Sequence, residues 1–314
     1  WVKLQNKPRL EPLRYMPLTA EEQAETDKIK SWVKEYFDQY KDKITVQDFD
    51  FIKNYGKPPR LKSNPVRRQI VVDSSWGVKN DTDSELTDLF IADFKDDVKR
   101  EWGIELSGTS KYITLRIRPD ESKKQESHVV DFAEDGITIT SVDEDGLLKG
   151  LNYISFIADK NDDFSFDKIN IVRDTRFDVR YTYSYNALYG DALLEGGVSS
   201  YPDELLKEYS RIGINGIWVH TVLYKLVRYP FAPELSDKWE VRMKGLQSLV
   251  KRAARYGIKV YLYLNEPRCM PSSFFKTHPE LLGYDNGNGE ATLCTSLPQV
   301  QEYLSDSVTQ ICKA

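Results

Sequence analysis

Ile258-Lys259-Val260-Tyr261-Leu262-Tyr263-Leu264 decides the fold. The stretch is nearly all apolar and rich in β-branched and aromatic residues, which predicts a parallel strand buried on both faces. Before it, Leu246, Leu249, Val250 and Ala253 fall at helical spacing within Val241–Tyr256, and Gly257 stops that helix. Further back lie a strand over Ile214–Val222, a helix over Tyr201–Ile212 and a tyrosine-rich strand over Val179–Tyr185. Ser200 is the expected helix cap there, with Pro202 in the first turn. Forward of the opening stretch come a short helix over Ser272–His278, an extended segment over Ala291–Ser296 and a helix over Gln299–Lys313. Strands alternating with helices at this spacing make parallel βαβ units.

An open doubly wound sheet would place a Gly-rich turn directly after its first strand. Gly190, Gly196 and Gly197 come too late after Val179–Tyr185 for that. Tandem βα repeats suit a (β/α)8 barrel, which takes about 250 residues. Residues 174–314 supply about half of that. The expectation is a partial, truncated TIM barrel, or else an open sheet. The helix over Gln299–Lys313 runs to the last residues without a cap signal, and the sequence is either a fragment of a longer enzyme or an open sheet; the chain opens on Trp1 and not Met, so something upstream is expected to have been removed.

Residues 65–173 read as a small α/β domain. The expected elements are a strand at Gln69–Asp73, a helix at Ser84–Trp102 capped by Gly103 and a strand at Tyr112–Arg118. A hairpin follows, His128–Ala133 with Gly136–Val142, turned at Glu134-Asp135-Gly136. A helix at Asp145–Asp159 and a strand at Lys168–Val172 complete a β-α-β-β-β-α-β order. Residues 1–64 read as an arm plus one amphipathic helix over 20–41, opened by the capping-box pair Thr19 and Glu22, and the prolines and glycine of 52–68 mark a loop. The fold class is therefore α/β, in three parts: 1–64, 65–173 and 174–314.

Composition narrows the function. The chain has 314 residues, 44 Lys+Arg against 49 Asp+Glu, and a net charge of −5. That balance argues against nucleic acid as a main partner, because phosphate binding needs a basic face. No apolar run reaches a membrane span of about 18 residues. Cys269, Cys294 and Cys312 show no CxxC spacing and read as free or buried thiols. No metal or cofactor is expected: Asp159-Lys160-Asn161-Asp162-Asp163 lacks the Gly and Glu of a calcium loop and reads as a solvated turn. Asn80-Asp81-Thr82 has the form of a glycosylation acceptor. The 19 Tyr, 13 Phe and 6 Trp suit sugar rings and ordinary cores alike. Nothing in the sequence bears on oligomeric state.

Three passages carry a family resemblance. Asp145-Gly146-Leu147-Leu148-Lys149-Gly150-Leu151 followed by Ile169-Asn170-Ile171-Val172-Arg173-Asp174-Thr175-Arg176-Phe177 resembles the passage from small domain to barrel strand 1 in glycoside hydrolases of family 20 (β-N-acetylhexosaminidases) and family 67 (α-glucuronidases). Thr175 stands where those families have Pro, and Tyr181 where they have Gly. Ile212-Gly213-Ile214-Asn215-Gly216-Ile217-Trp218-Val219-His220 is similar to their helix-1 to strand-2 junction, and Lys259–Arg268 to strand 3. The resemblance covers about residues 65–314. It implies an exo-acting glycosidase for N-acetylhexosamine or uronic acid, a carbohydrate partner, and a secreted or periplasmic address. By the same alignment the principal catalytic carboxylates lie beyond Ala314, so this chain alone would be inactive.

Glycosidases need paired carboxyl groups about 5–10 Å apart, placed in a barrel at the C-terminal ends of strands. Glu266 is the best carboxylate there, with Asn265 and Arg268 beside it; its alternative reading is a rim salt bridge with Arg268. The resemblance implies substrate-binding roles for Arg180, whose forked donors suit sugar hydroxyls, and for His220. Their plainer readings are a salt bridge at the start of the barrel and a core histidine. Tyr183, Tyr185, Asn186 and Trp218 supply rings and an amide at the strand ends. Asp191 and Glu195 lie in the loop after strand 1 and read mainly as solvated. One clear carboxylate where hydrolysis usually takes two keeps a second reading open, a non-catalytic carbohydrate-binding protein.

Overall fold

The computed structural model describes residues 19–40, 68–120, 122–184, 187, 190–264 and 266–314. Its elements run α1 (Ala20–Tyr40), β1 (Ile70–Val71), β2 (Trp76–Asn80), α2 (Glu85–Trp102), β3 (Lys111–Ile117), β4 (His128–Ala133), β5 (Gly136–Ser141), α3 (Glu144–Asn161), β6 (Ser165–Phe166), β7 (Ile169–Arg173), β8 (Tyr181–Tyr183), α4 (Asp203–Arg211), β9 (Gly216–His220), α5 (Leu223–Leu226), α6 (Trp239–Ala254), β10 (Lys259–Tyr263), β11 (Met270–Pro271), α7 (Phe274–Thr277), β12 (Leu282–Asp285), β13 (Glu290–Leu293) and α8 (Pro298–Lys313). Helix α1 opens on the expected capping box: the Thr19 N–H donates to Glu22 Oε2 at 2.9 Å and the Glu22 N–H to Thr19 Oγ1 at 3.3 Å. The loop expected over 52–68 lies outside the described residues except for Arg68.

The first hydrophobic cluster belongs to a five-stranded sheet in the order β2-β3-β5-β4-β7. β2, β3 and β5 are parallel, and β4 is antiparallel to both β5 and β7. Helices α2 and α3 cover one face. Phe90, Phe94, Val98, Leu147, Leu151 and Ile154 meet Ile113, Leu115, Val130, Phe132, Ile137 and Ile139 there. Each such side chain taken fully out of water contributes about 1.5–3 kcal/mol. Ser84 caps α2 by accepting from the Thr87 N–H, and Gly103 ends it in the left-handed region. Asp143 caps α3 through the Gly146 N–H at 2.8 Å. Gly150 lets α3 lie close on the sheet, since a Cβ there would lie 2.4 Å from the Ile139 side chain of β5 and force it to shift.

The sheet differs from the expectation at one edge. The strand expected at Gln69–Asp73 makes only the two-residue bridge β1–β6, and the sheet edge is β2, which the sequence reading missed. Trp76-Gly77-Val78-Lys79-Asn80 has a glycine and two polar residues in five positions, so its apolar pattern is faint.

The second hydrophobic cluster surrounds a three-stranded parallel sheet, β10-β9-β8. Ile217 and Val219 of β9, with Val260 and Leu262 of β10, face Leu206 of α4 and Leu246, Leu249 and Ala253 of α6. Contrary to the expectation for Ile258–Leu264, β10 is covered on this face alone: Tyr263 on the other is 44% exposed, because no described element packs over it. Ser200 does not cap α4. Pro202 occupies that position and offers no side-chain bond. β11, β12 and β13 form a small antiparallel sheet. Its central strand β13 is the extended segment expected near 291–296, and β12 was missed.

Buried polar groups join the two clusters. Glu126 is 5% exposed and sits at φ 65°. Its Oε1 accepts from Asn215 Nδ2 at 2.8 Å, and its Oε2 accepts from Arg180 Nη2. Around this centre Lys207 reaches Asp97 at 2.6 Å, Arg255 Nε reaches Asp93 at 2.8 Å, and Asn152 reaches the Ser210 hydroxyl at 3.2 Å.

Candidate functional site

Parallel pairing brings the C-terminal ends of the three strands to one edge. Tyr183 pairs with Trp218, Tyr261 with Trp218, and Tyr263 with His220. Side chains alternate along a strand. Tyr181, Tyr183, Trp218, His220, Tyr261 and Tyr263 therefore share the face opposite the helices. Their rings form a continuous array: Tyr183–Trp218 centroids are 6.0 Å apart, Trp218–Tyr263 5.3 Å, and His220–Tyr263 5.6 Å, and Trp218 stacks on His220 at 6.0 Å with planes 10° apart. Gly216 makes room at the other end of the array. A Cβ there would sit 2.5 Å from the Tyr261 ring and 2.9 Å from Tyr181 Cβ, where those two rings now pack 5.7 Å apart.

Three of the expected substrate residues, Tyr183, Trp218 and His220, are thus one cluster. Sequence reasoning missed Tyr261 and Tyr263. Their signal was the two-residue alternation within the opening stretch, hidden because the intervening residues are apolar too. Tyr185, Asn186 and Asn265 lie outside the described residues.

Glu266 follows β10 and is held by backbone donors on both oxygens. The Leu223 N–H donates to Oε1 at 2.8 Å and the Arg268 N–H to Oε2 at 2.9 Å. Burial pushes its pKa up; the two N–H groups and the Arg268 charge pull the other way without cancelling that push. Tyr229 and Tyr303 lie close by, and burial plus the charge of Glu266 raises both phenols, keeping them protonated. The contribution of Arg268 to Glu266 is this backbone bond together with its charge. The loop carboxylates are also committed: Asp191 accepts from Arg242 Nε at 2.8 Å, and Glu195 accepts from the N–H and hydroxyl of Ser199 at 2.9 and 2.6 Å.

Arg180 stands elsewhere. It precedes β8, at the N-terminal edge of the sheet, level with Asn215 and not with His220. Its Nε donates to Gly213 O at 2.6 Å, its Nη1 to Phe177 O at 2.6 Å, and its Nη2 to Glu126. The expectation that this fork grips sugar hydroxyls is corrected: carbonyls and a buried carboxylate hold it in the joint between the two clusters. Glu126, central to that joint, lies in a polar loop without a sequence signal, and Asn215 lies in the Gly213-Ile214-Asn215-Gly216 passage, which did not reveal this role.

Among the described residues no group of three or more His, Cys, Asp or Glu could hold a metal ion, and Cys269, Cys294 and Cys312 are free. Among the same residues no helix is long and apolar enough to cross a membrane.

The fold is glycoside-hydrolase-like. The chain is similar to the GH20 β-N-acetylhexosaminidase of Streptomyces coelicolor A3(2), at 16% identity and TM-score 0.52 over 78% of this chain and 54% of that one. It is similar to the chitobiase of Flavobacterium johnsoniae, at 17% identity and TM-score 0.51 over 77% and 40%. It also matches a GH138 enzyme targeting pectin rhamnogalacturonan II, at 13% identity and TM-score 0.51 over 65% and 33%. The chain thus spans between a third and about half of the length of these three structures. No family model matches the sequence, and no curated protein matches it.

Proposed function

We propose that this chain contributes the small α/β domain, about residues 65–173, and the first strands, from about 174, of a (β/α)8 glycoside hydrolase. The observation that supports this reading is the ring array on β8, β9 and β10. A sheet of parallel strands with helices on one face and half-exposed aromatics on the other has the lining of a barrel interior, whose inward side chains are covered only when more strands close the ring. In such an enzyme Trp218, Tyr183 and Tyr263 offer apolar ring faces to a sugar, and His220 offers a hydrogen bond to a hydroxyl at the strand ends. Glu266, held toward its protonated form, assists as an acid, and the principal acid–base pair stands on further strands. The substrate is the terminal N-acetylhexosamine or uronic acid of a carbohydrate chain, and the protein is secreted or periplasmic.

The test is turnover of aryl β-N-acetylhexosaminides and aryl α-glucuronides by the protein purified from its own cells and by residues 1–314 alone. Release of aryl alcohol by the native protein only is the expected result. No turnover of either substrate class by the native protein refutes the hydrolase reading. A second reading, sugar binding without cleavage, is favoured by the commitment of Glu266, Asp191 and Glu195 to bonds within the chain; saturable sugar binding without turnover would select it.

A further inference from the structure

At the N-terminal edge of the same sheet, a cleft of about 380 Å³ opens between α3, β7 and α4. Among its lining residues are Lys149, Arg173, Arg176, His128, Phe156 and Phe177. The cations are unequally paired. Arg180 and Arg211, also on its wall, are spent on Glu126 and on Asp159 and Glu101. Lys149 has only the Ser210 carbonyl, at 3.4 Å, and Arg173 only the ring and hydroxyl of Tyr153. Neither these two nor Arg176 has a carboxylate within ion-pair distance among the described residues. Asp174, the one further acid on the wall, faces Lys123 at 3.7 Å.

His128 lines the same cleft. It is 8% exposed, and its Nδ1 is bonded to Glu126 O at 2.8 Å. Donation to that carbonyl fixes the proton on Nδ1 and leaves Nε2 an acceptor, which is buried without a partner among the described residues. Leaving a buried polar atom unmet costs about 1–3 kcal/mol. Beside it Phe156 and Phe177 are 60% and 66% exposed, an unusual placement for rings that line a cleft.

Uncompensated cations and bare aromatic walls describe one kind of guest. We propose that this cleft binds a small ring-bearing oxyanion, a carboxylate or phosphate carried on a flat scaffold. The anionic group would be held by Arg173, Arg176 and Lys149, and the ring would lie against Phe156 and Phe177. The inference does not depend on the glycosidase reading, since the cleft lies at the opposite edge of the sheet from the ring array.

The test is calorimetric titration of the full chain with benzoate, phenyl phosphate and, as the neutral counterpart, benzamide. At least one anion should bind about ten-fold or more tightly than benzamide, as expected of a charge-assisted bond, and which one does so identifies the oxyanion. Arg173→Gln with Arg176→Gln should lower that affinity by about ten-fold without moving the melting curve. Arg176→Gln alone, at an exposed position, should lower it in a protein whose folding is not in question. Equal binding of benzamide, no binding of either anion at millimolar concentration, or affinities untouched by Arg176→Gln would each overturn the proposal.

Discussion

Replacing Arg180 by Met tests what holds the two halves of the molecule together. The substitution keeps most of the stem and removes the fork, leaving Glu126 with Asn215 Nδ2 on Oε1 and nothing in place of the guanidinium on Oε2. Both partners are largely enclosed, with side-chain exposures of 24% for Arg180 and 6% for Glu126. Screening by water is therefore weak, and orphaning the carboxylate costs about 3–5 kcal/mol. The carbonyls of Gly213 and Phe177 lose their donors as well, but they lie nearer the surface and water can replace the fork. At about 2–4 °C per kcal/mol the melting temperature should fall by about 10 °C. The double variant Glu126→Gln with Arg180→Met removes the stranded charge and keeps an amide for Asn215, so it should recover about 2 kcal/mol of the loss. Urea melts of the four proteins, parent, two singles and double, give the coupling directly. A single-variant loss under about 1 kcal/mol, or a double variant whose loss equals the sum of the singles, would show that the pair is an ordinary surface contact.

Other outcomes follow from the same geometry. Gly216→Ala should cost about 1–3 kcal/mol, because its Cβ would meet the Tyr261 ring at 2.5 Å; a urea midpoint within error of the parent would show that the rings move aside freely. Burial holds the pKa of Glu266 above its unfolded value, so the folded state keeps this proton to a higher pH and stability falls as pH rises just above the ordinary carboxylate range. Glu266→Gln should flatten that part of the stability–pH curve, and an unchanged slope would count against a buried, proton-retaining carboxyl. For His128 the sign reverses: burial depresses its pKa, so stability is full above the ordinary histidine value and is lost as pH falls below it. His128→Asn, which can still donate to the Glu126 carbonyl, should lessen acid sensitivity below about pH 6.5, checked by melts on both sides of that pH.

How much of this was legible in the sequence depended on whether the physics was local. Ser84 and Gly103 bracket α2 where capping chemistry puts them, and Glu134-Asp135-Gly136 turns the β4–β5 hairpin in register, with Ala133 opposite Gly136. The tandem βα pattern located β9, α6 and β10 to within two or three residues. Two other features required knowledge of what lies across space. β2 is a strand because β3 offers it a ladder, not because Trp76-Gly77-Val78-Lys79-Asn80 alternates. Arg180 sits one residue before β8, so whether it faces substrate or joint turns on where a loop residue, Glu126, folds back.

The placement of Arg180 also bears on the proposed chemistry. A parallel sheet offers two edges, and in this one they carry different chemistry. At the N-terminal edge two hydrogen bonds cross between the halves, from Arg180 and from Asn215 to Glu126, while Arg180 and Asn215 also bond each other, Gly213 and Asp178, and a fork so occupied cannot take up substrate without breaking the joint. At the C-terminal edge Trp218, His220, Tyr183 and Tyr263 lie in mutual contact with one face still open. On the proposed reading a sugar is held there by ring faces and His220, with its charged contacts coming from elsewhere. Mutation separates the two edges cleanly. Trp218→Ala should abolish sugar binding by the native protein while lowering its stability far less than Arg180→Met. If Arg180→Met instead abolished binding in a protein of undiminished stability, the arginine would be a substrate ligand and the division of labour between the two edges would be wrong.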